Sequence, residues 1–444
     1  MSPAVEGGVT EGRAVALRVL RRVEAGAYAD RALAGEARRA DLDPRERAQA
    51  TRLSYGAVQR RRTLDWLIDG ALDRPAGLEP PLRDILRLGA YEIAFSEGVP
   101  DRAAVDQAVR QARALRGSGA RATARAGLVN AVLRRIAAEA PSRLAELERG
   151  GAEGLALRHS LPDWIARRLT AALGDEAAGV MAAASEPAES AVRWNPLRGP
   201  RVNLEAELPP GWRRDPVLPE AYVLEGAFAL EASRAYARGL VVGQSRASML
   251  PARVLDPRPA ERILDLCSAP GTKATHLAAL CQNAAEVVAV ELHPARAEVL
   301  RALARRLGAR VRVVEGDART VPLDGPFDAA LVDPPCTGLG VLAARPDARW
   351  RRREESLGPL VELQTAVLAR ALEAVRPGGR VVYSTCTLLR EENEDVVAAA
   401  GAPLEDLSAR FPSFAHPDLP GALRTLPHRH GTDGFFVAML RRPS

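Results

Sequence analysis

Beyond about residue 235 the chain breaks into short apolar runs separated by helical stretches, and this alternation limits the possible folds more than any other feature of the sequence. The runs are "RILDLCS", "EVVAVEL", "VRVVEGD", "FDAALVD", "GRVVYSTC" and, near the end, "FFVAML". Between them lie segments such as "HPARAEVLRALARRLG" and "LVELQTAVLARALEAVR", in which apolar residues recur at the spacing of one helix face. Strand and helix in alternation imply an α/β domain built on a mostly parallel sheet. Earlier in the chain the period is helical, as in "RAVALRVLRRVEAG" and "LRDILRLGAYEIAF", so residues 11–145 are expected to form an all-helical bundle. Residues 151–230 join a helix-like stretch, "PDWIARRLTAALG", to a strand-like one, "AESAVRWNPLRG", before Pro and Gly interrupt the pattern. They are expected to form a small α+β connecting domain. With 235–444 assigned to the α/β domain, the expectation is a multidomain chain, in keeping with a length of 444 residues.

Composition narrows the function. The net charge is +6, and the first 150 residues hold the whole excess, with 26 arginines against 20 acidic residues. A basic module ahead of a neutral one points to an anionic partner, nucleic acid being the usual one, although a solvated arginine-rich surface has the same composition. Arg60 to Arg62 and the arginines of "ARWRRREE" stand between those readings, the latter expected on a solvated helix. Aromatic residues make up only 4% of the chain, which argues against an extended base-stacking platform. The four cysteines, Cys267, Cys281, Cys336 and Cys386, form no C-x-x-C pair and show no metal-like spacing. Neither a disulfide scaffold nor a metal site is expected, and a reducing compartment is implied. No apolar stretch has the length of a membrane span and the start lacks an apolar signal core, so a cytoplasmic location with no membrane partner is expected.

In open α/β sheets ligands collect beyond the carboxyl ends of the strands, near the point where strand order reverses. The first run leads through Asp265 and Cys267 into the turn "SAPGT", where Gly271 allows close approach of backbone to a ligand. The second ends in Glu291, suited to ribose hydroxyls, and the third in Asp317, suited to the adenine amino group. A glycine turn followed by two acidic strand ends favours a nucleoside-type cofactor. The phosphate-cradling Walker pattern is absent and "LCSAPG" departs from G-x-G-x-x-G, which favours S-adenosyl-L-methionine over a dinucleotide. The fourth run ends in "DPPC", Asp333 to Cys336, and the fifth in "STC", Ser384 to Cys386, so two thiols are expected to face one cleft. Cys281, and with less force Cys267, read as inert buried thiols.

The chemistry that needs such thiols is methylation of a pyrimidine at carbon 5. An exocyclic amine can attack a methyl sulfonium once oriented, but carbon 5 is barely nucleophilic until a thiolate adds to carbon 6; a base must later remove the carbon 5 proton. A nucleophile, a base and an acid near ring nitrogen 3 account for Cys386, Cys336 and Asp333, and reaching the ring calls for an unstacked base. Lys273 is the only lysine in a chain with 62 Lys+Arg. A composition that uses arginine wherever charge suffices would spare a lysine whose compact head does what a planar fork cannot.

Together, "DLCSAPGTKATH", "DPPCTGLGVLAARPDARW", "RPGGRVVYSTCTLLREEN" and "GTDGFFVAML" resemble the NOL1/NOP2/Sun family of RNA cytosine-5 methyltransferases. "YADRAL", "RERAQATRLSYGAVQRRRTLDWLI" and "ILRLGAYEIAF" resemble the NusB-like RNA-binding domain carried by bacterial members of that family. The resemblance implies a class I, Rossmann-like, S-adenosylmethionine-dependent methyltransferase domain, a monomer acting on a cytosine of small-subunit ribosomal RNA. It implies Cys386 as nucleophile and Cys336 as the residue that assists product release. It implies cofactor contacts from Cys267, Ser268, Ala269, Pro270, Gly271, Thr272 and Lys273 and from Glu291, Asp317 and Asp333, with Lys273 orienting Asp333 or the base. Departures are Thr272 where the family usually has a second glycine, "DPPCTG" for the commoner "DAPCSG", and "GQSRAS" without the aspartate often seen after that glutamine. The competing readings are a cytosine of transfer RNA or of another ribosomal site, a noncatalytic RNA-binding assembly factor, and an amino-group methyltransferase. The last would place an aromatic residue where Cys336 stands.

Overall fold

In the computed structural model, which describes residues 8–115, 119–226 and 228–443, the helical period of the first part of the sequence gives helices Glu11–Glu24, Ala29–Arg39, Pro44–Gln59, Arg61–Gly70, Pro80–Phe95, Asp101–Arg113 and Ala120–Glu148. Three more follow, Gly151–Arg158, Asp163–Leu173 and Glu176–Ala183. Starts are capped as the local sequence dictates: Asp43 precedes Pro44 and its carboxylate accepts from the Glu46 amide at 2.8 Å. The apolar faces meet in a core of Leu53, Leu64, Leu67, Ile68, Ile85, Leu88, Val129 and Leu133. At Gly89 a Cβ would lie 2.6 Å from Leu133 Cδ1, so glycine is what lets Pro80–Phe95 approach Ala120–Glu148.

The chain divides into two compact units, Met1–Glu186 with Leu342–Arg351, and Pro187–Val341 with Arg352–Ser444. The helical unit corrects the expectation for the arginine clusters. Arg60 is buried, stacked on Phe95 at 4.6 Å, and donates to the carbonyls of Arg158 and Ser185. Arg62 donates to the Leu161 carbonyl and pairs with Asp163. Arg349, in "ARWRRREE", is fully buried rather than solvated; its guanidinium donates to the carbonyls of Gln59, Ala184 and Leu342, and the neighbouring Trp350 donates to the Val58 carbonyl at 2.7 Å. A guanidinium has five donors, so backbone carbonyls left over at helix ends can satisfy it where no water reaches.

The second unit starts with a four-stranded antiparallel sheet of β1 (Ala191–Trp194), β2 (Arg213–Arg214), β3 (Ala221–Val223) and β4 (Val241–Gly243), in the order β2-β3-β1-β4. It continues with seven strands, β5 (Arg262–Leu266), β6 (Glu286–Glu291), β7 (Val311–Glu315), β8 (Phe327–Val332), β9 (Val375–Thr385), β10 (Ala422–Thr425) and β11 (Phe435–Arg441). Their order is β10-β11-β9-β8-β5-β6-β7, parallel from β9 to β7 and antiparallel at β10 and β11. Strand side chains alternate between two apolar layers. Ile263, Val287, Ala289, Ala329 and Leu331 pack on the side of helices Arg246–Leu255 and Thr272–Leu280, and Leu264, Leu266, Val288, Val290, Ala330 and Val332 on the side of Leu357–Ala374. Burial on both faces is why these strands read as continuous apolar runs. Strand order reverses between β5 and β8, and their carboxyl ends open there. The architecture is a Rossmann-like α/β fold, preceded in the chain by a helical N-terminal region.

Candidate active site

The turn after β5 is built on two unusual backbone positions. Cys267 has φ of 63° and Gly271 φ of 101°; a Cβ on Gly271 would also lie 2.8 Å from Leu300 Cγ. Only glycine meets both demands at position 271. The Ser268 amide donates to the Val290 carbonyl of β6 at 2.9 Å, and the Ala269 amide to Glu291 Oε2 at 3.3 Å. Glu291, buried at the end of β6, also accepts from the His293 amide, so it is fixed by the turn it is expected to serve. Thr272 opens helix Thr272–Leu280, and Arg193 from β1 anchors that helix start, donating to the Thr272 carbonyl at 2.6 Å and to Thr275 Oγ1 at 3.1 Å. Gln244 of "GQSRAS" is a further partner of the Arg193 guanidinium.

Beneath the turn, Asp265 is fully buried. Ser268 Oγ donates to its Oδ2 at 2.7 Å, while Oδ1 has no partner among the described residues. Burial pushes this carboxyl up to about 7. Burial likewise pushes the Cys267 thiol up to about 12, and Cys281, whose thiol donates to the Leu277 carbonyl, is raised too. Both are protonated at neutral pH.

Lys273 points its ammonium into an ion pair. Nζ donates to Asp333 Oδ2 at 2.7 Å and lies 5.3 Å from the centre of the Phe435 ring. Burial alone would lower the lysine pKa, but Asp333 outweighs it and holds the group above its ordinary value. Asp333 follows β8, its amide donating to the Leu266 carbonyl of β5, and its Oδ1 accepts from Ser384 Oγ at 3.0 Å. Three residues on, Cys336 Sγ lies 3.3 Å from Cys386 Sγ at the end of β9. Cys336 is raised well above an ordinary thiol, first by its hydrogen bond with Cys386 and then by burial. One proton between two sulfurs is favoured over two charges.

Of the residues expected from sequence, Lys273, Asp333, Cys336 and Cys386 thus meet at the carboxyl ends of β8 and β9, with the turn Cys267–Thr272 and Glu291 on the β5 and β6 side. Asp317 stands apart: its carboxylate is engaged by Arg319, two residues on, which pulls it down to about 2, and among the described residues it bonds to no other member of the set. Ser384, Phe435, Arg193 and Asp265 belong to the site without having been expected. Asp265 and Ser384 had a signal, since both lie on runs already read as ending at the cleft. Arg193 reaches it from a distant segment and had none, whereas Phe435 opens the run "FFVAML" within the motif "GTDGFFVAML" but was given no role.

The family model described as 16S rRNA methyltransferase RsmB/F matches residues 252–441, and that of the NusB family matches residues 10–138. Ribosomal RNA small subunit methyltransferase B of Thermus thermophilus is 39% identical over 439 residues, 97% of this chain and 97% of the relative. The probable ribosomal RNA small subunit methyltransferase B of Bacillus subtilis is 32% identical over 450 residues, 98% of this chain and 99% of the relative. Among solved structures, the crystal structure of PH0851 superposes with a TM-score of 0.81 at 27% identity, covering 99% of this chain and 100% of that one. NSun6 from Pyrococcus horikoshii with SFG gives 0.59 at 26% identity, covering 64% of this chain and 98% of that one.

Proposed function

The chain belongs to the 16S rRNA methyltransferase RsmB/F family, and from that premise we propose that it methylates carbon 5 of a cytosine in small-subunit ribosomal RNA through a covalent bond between Cys386 and carbon 6. The observation that carries this reading is the thiol pair, 3.3 Å apart, beside the Lys273–Asp333 ion pair. Methylation of an exocyclic amine would use neither thiol, whereas carbon 5 chemistry uses both.

The residues present fit S-adenosylmethionine. Asp265 Oδ1 is a buried acceptor lacking a partner among the described residues, which suits an ammonium donor, and Gly271 keeps the turn free of a side chain. Glu291 suits ribose hydroxyls, and the turn Cys267–Lys273 with Asp333 would complete the set; Asp317 would first have to leave Arg319. Bound there, the cofactor supplies an electrophilic methyl group.

The protein's part begins with Cys386 as a thiolate adding to carbon 6, favoured by the hydrogen bond from the Cys336 thiol and by the positive charge of Lys273. Lys273 Nζ donates to Asp333, so a proton for ring nitrogen 3 passes from Lys273 Nζ through Asp333 to the ring. Carbon 5 is then nucleophilic. Once the Cys386 sulfur is bonded to carbon 6 it no longer holds the charge that kept Cys336 protonated, and Cys336 can release its proton to solvent, the one net proton of the reaction, and then take the carbon 5 proton. Cleavage of the carbon–sulfur bond returns Cys386 as a thiolate, and the ring proton returns to the Lys273–Asp333 pair. In this reading residues 11–145 bind the RNA, 151–230 connect, and 235–444 carry the chemistry.

The test is a denaturing gel of protein incubated with S-adenosylmethionine and unmodified small-subunit RNA. Cys336→Ala is expected to accumulate a shifted protein–RNA band that is lost when Cys386→Ala is added, because release is blocked in the first variant and attack in the second. No band, with no methyl incorporation by the unaltered protein on several RNAs, would overturn the reading.

A further inference from the structure

We propose that Glu392 is a positioning residue that sets the separation of the two thiols, a role that rests on the covalent mechanism above for its purpose but not for its geometry. The sheet cannot set that distance itself. The ladder between β8 and β9 ends at Val332 opposite Tyr383, and both cysteines lie beyond it, Cys336 on a loop and Cys386 one residue past Thr385, whose partner is Phe436 of β11 rather than any residue near Cys336. The loops are tied by the Gly340 amide, which donates to the Cys386 carbonyl at 2.9 Å, and, on the residues flanking the two thiols, by one carboxylate. Glu392 is fully buried; its Oε1 accepts from the Thr337 amide at 2.9 Å and from Gln364 Nε2 at 2.8 Å, and its Oε2 accepts from Thr337 Oγ1.

The donors fix the proton arrangement. With the Thr337 hydroxyl proton given to Glu392, the contact of 2.7 Å between Thr337 Oγ1 and Thr387 Oγ1 has Thr387 as its donor. Gln364 Nε2 gives its other proton to the Pro335 carbonyl at 2.9 Å. The residues on both sides of Cys336, Pro335 and Thr337, and the residue after Cys386, Thr387, are therefore tied to Glu392 directly or through one side chain. Glu392 is pinned in turn, its carbonyl accepting from Tyr383 Oη of β9 at 2.6 Å and the next residue, Asn393, donating to the Thr387 carbonyl at 3.1 Å. Its side-chain donors are all neutral. A carboxylate buried among neutral donors is costly, so packing alone does not account for it. Three acceptor lone pairs aimed at three donors do what an amide in its place could not, since an amide nitrogen would face at least one of them with a donor.

The experiment compares Glu392→Gln and the milder Thr387→Val with the unaltered protein in three readouts. The first is kcat and KM for RNA. The second is uptake of phenylarsine oxide, which condenses with two neighbouring thiols to a cyclic dithioarsinite and one water and holds poorly to a single thiol; Cys336→Ala serves as the one-thiol control. The third is the melting temperature. Displacing a reacting group by about 1 Å costs on the order of 100-fold. Glu392→Gln is expected to lower kcat by about that factor with KM for RNA unchanged, and to lose arsenical retention while still melting cooperatively; Thr387→Val should move both in the same direction by less. Retention of the arsenical by both variants at the level of the unaltered protein would overturn the proposal, whatever happens to activity. If the unaltered protein methylates no RNA, the covalent mechanism fails while arsenical retention alone still decides the role of Glu392.

Discussion

At the scale of single residues, Asp265, proposed above to accept from the cofactor, is a buried carboxyl kept at a cost to the fold. Its carboxyl is raised from 3.8 to about 7 by burial. The unfolded chain releases this proton near the lower value and the folded chain near the higher, so the group leaves stability untouched in acid, destabilises increasingly as pH rises between the two values, and does so fully above about 7. Asp265→Asn is therefore expected to raise the melting temperature near pH 8, leave it little changed near pH 4, and weaken S-adenosylmethionine binding measured by calorimetry. An equal shift at both pH values would show that the carboxyl is not the cause. Of the residues expected at the site from sequence, Asp333, Cys336 and Cys386 follow strands whose apolar runs are unmistakable and Lys273 lies in the first turn of the helix after such a run, so chain order alone put all four toward one edge of the sheet. Arg193 was illegible for the opposite reason, since a guanidinium on a carbonyl depends on a fold that joins distant segments, and for Phe435 the run was legible but its contact with the Lys273 ammonium was not.

Secondary elements carry a different kind of demand, which is steric. The turn from β5 into helix Thr272–Leu280 needs a positive φ at position 271 and no side chain against Leu300. Gly271→Ala is expected to abolish detectable cofactor binding while sparing the helical unit, whose melting would persist in a two-step thermal scan; binding within about threefold of the unaltered protein would refute the steric argument. Among the elements, β5, β6, β8, β9 and β11 were legible because strands buried on both faces read as unbroken apolar runs, and β7, a half-exposed edge strand, through its three valines. β10 was not, having four residues, "ALRT", at the sheet edge between Pro- and His-rich turns. The small sheet β1 to β4 was legible only at β1, since strands of two or three residues carry no period. Charged residues misled in the helical unit: Arg60 and Arg349 look like solvent residues in sequence, and what buries them is a set of helix-end carbonyls that no sequence pattern announces.

For the molecule as a whole, charge rather than shape sets the expectation. The excess of arginine lies in the first 150 residues, and part of it is engaged internally, as at Arg60. Arg45 and Arg52, two turns apart on Pro44–Gln59, remain exposed. If the helical region binds RNA, replacing both with glutamine should weaken binding and reduce the slope of log affinity against log salt by about 0.7 to 0.9 for each phosphate that is no longer neutralised; an unchanged slope would exclude this helix from the RNA-facing surface. Lysine follows the opposite pattern. A chain whose sole ε-amino group is 8% exposed and engaged by Asp333 offers acylating reagents and lysine-directed modifying enzymes no side-chain amine on its surface. Acylation of Lys273 would thus register opening of the cleft, so that the molecule carries its own label for the moment at which the reaction centre is uncovered.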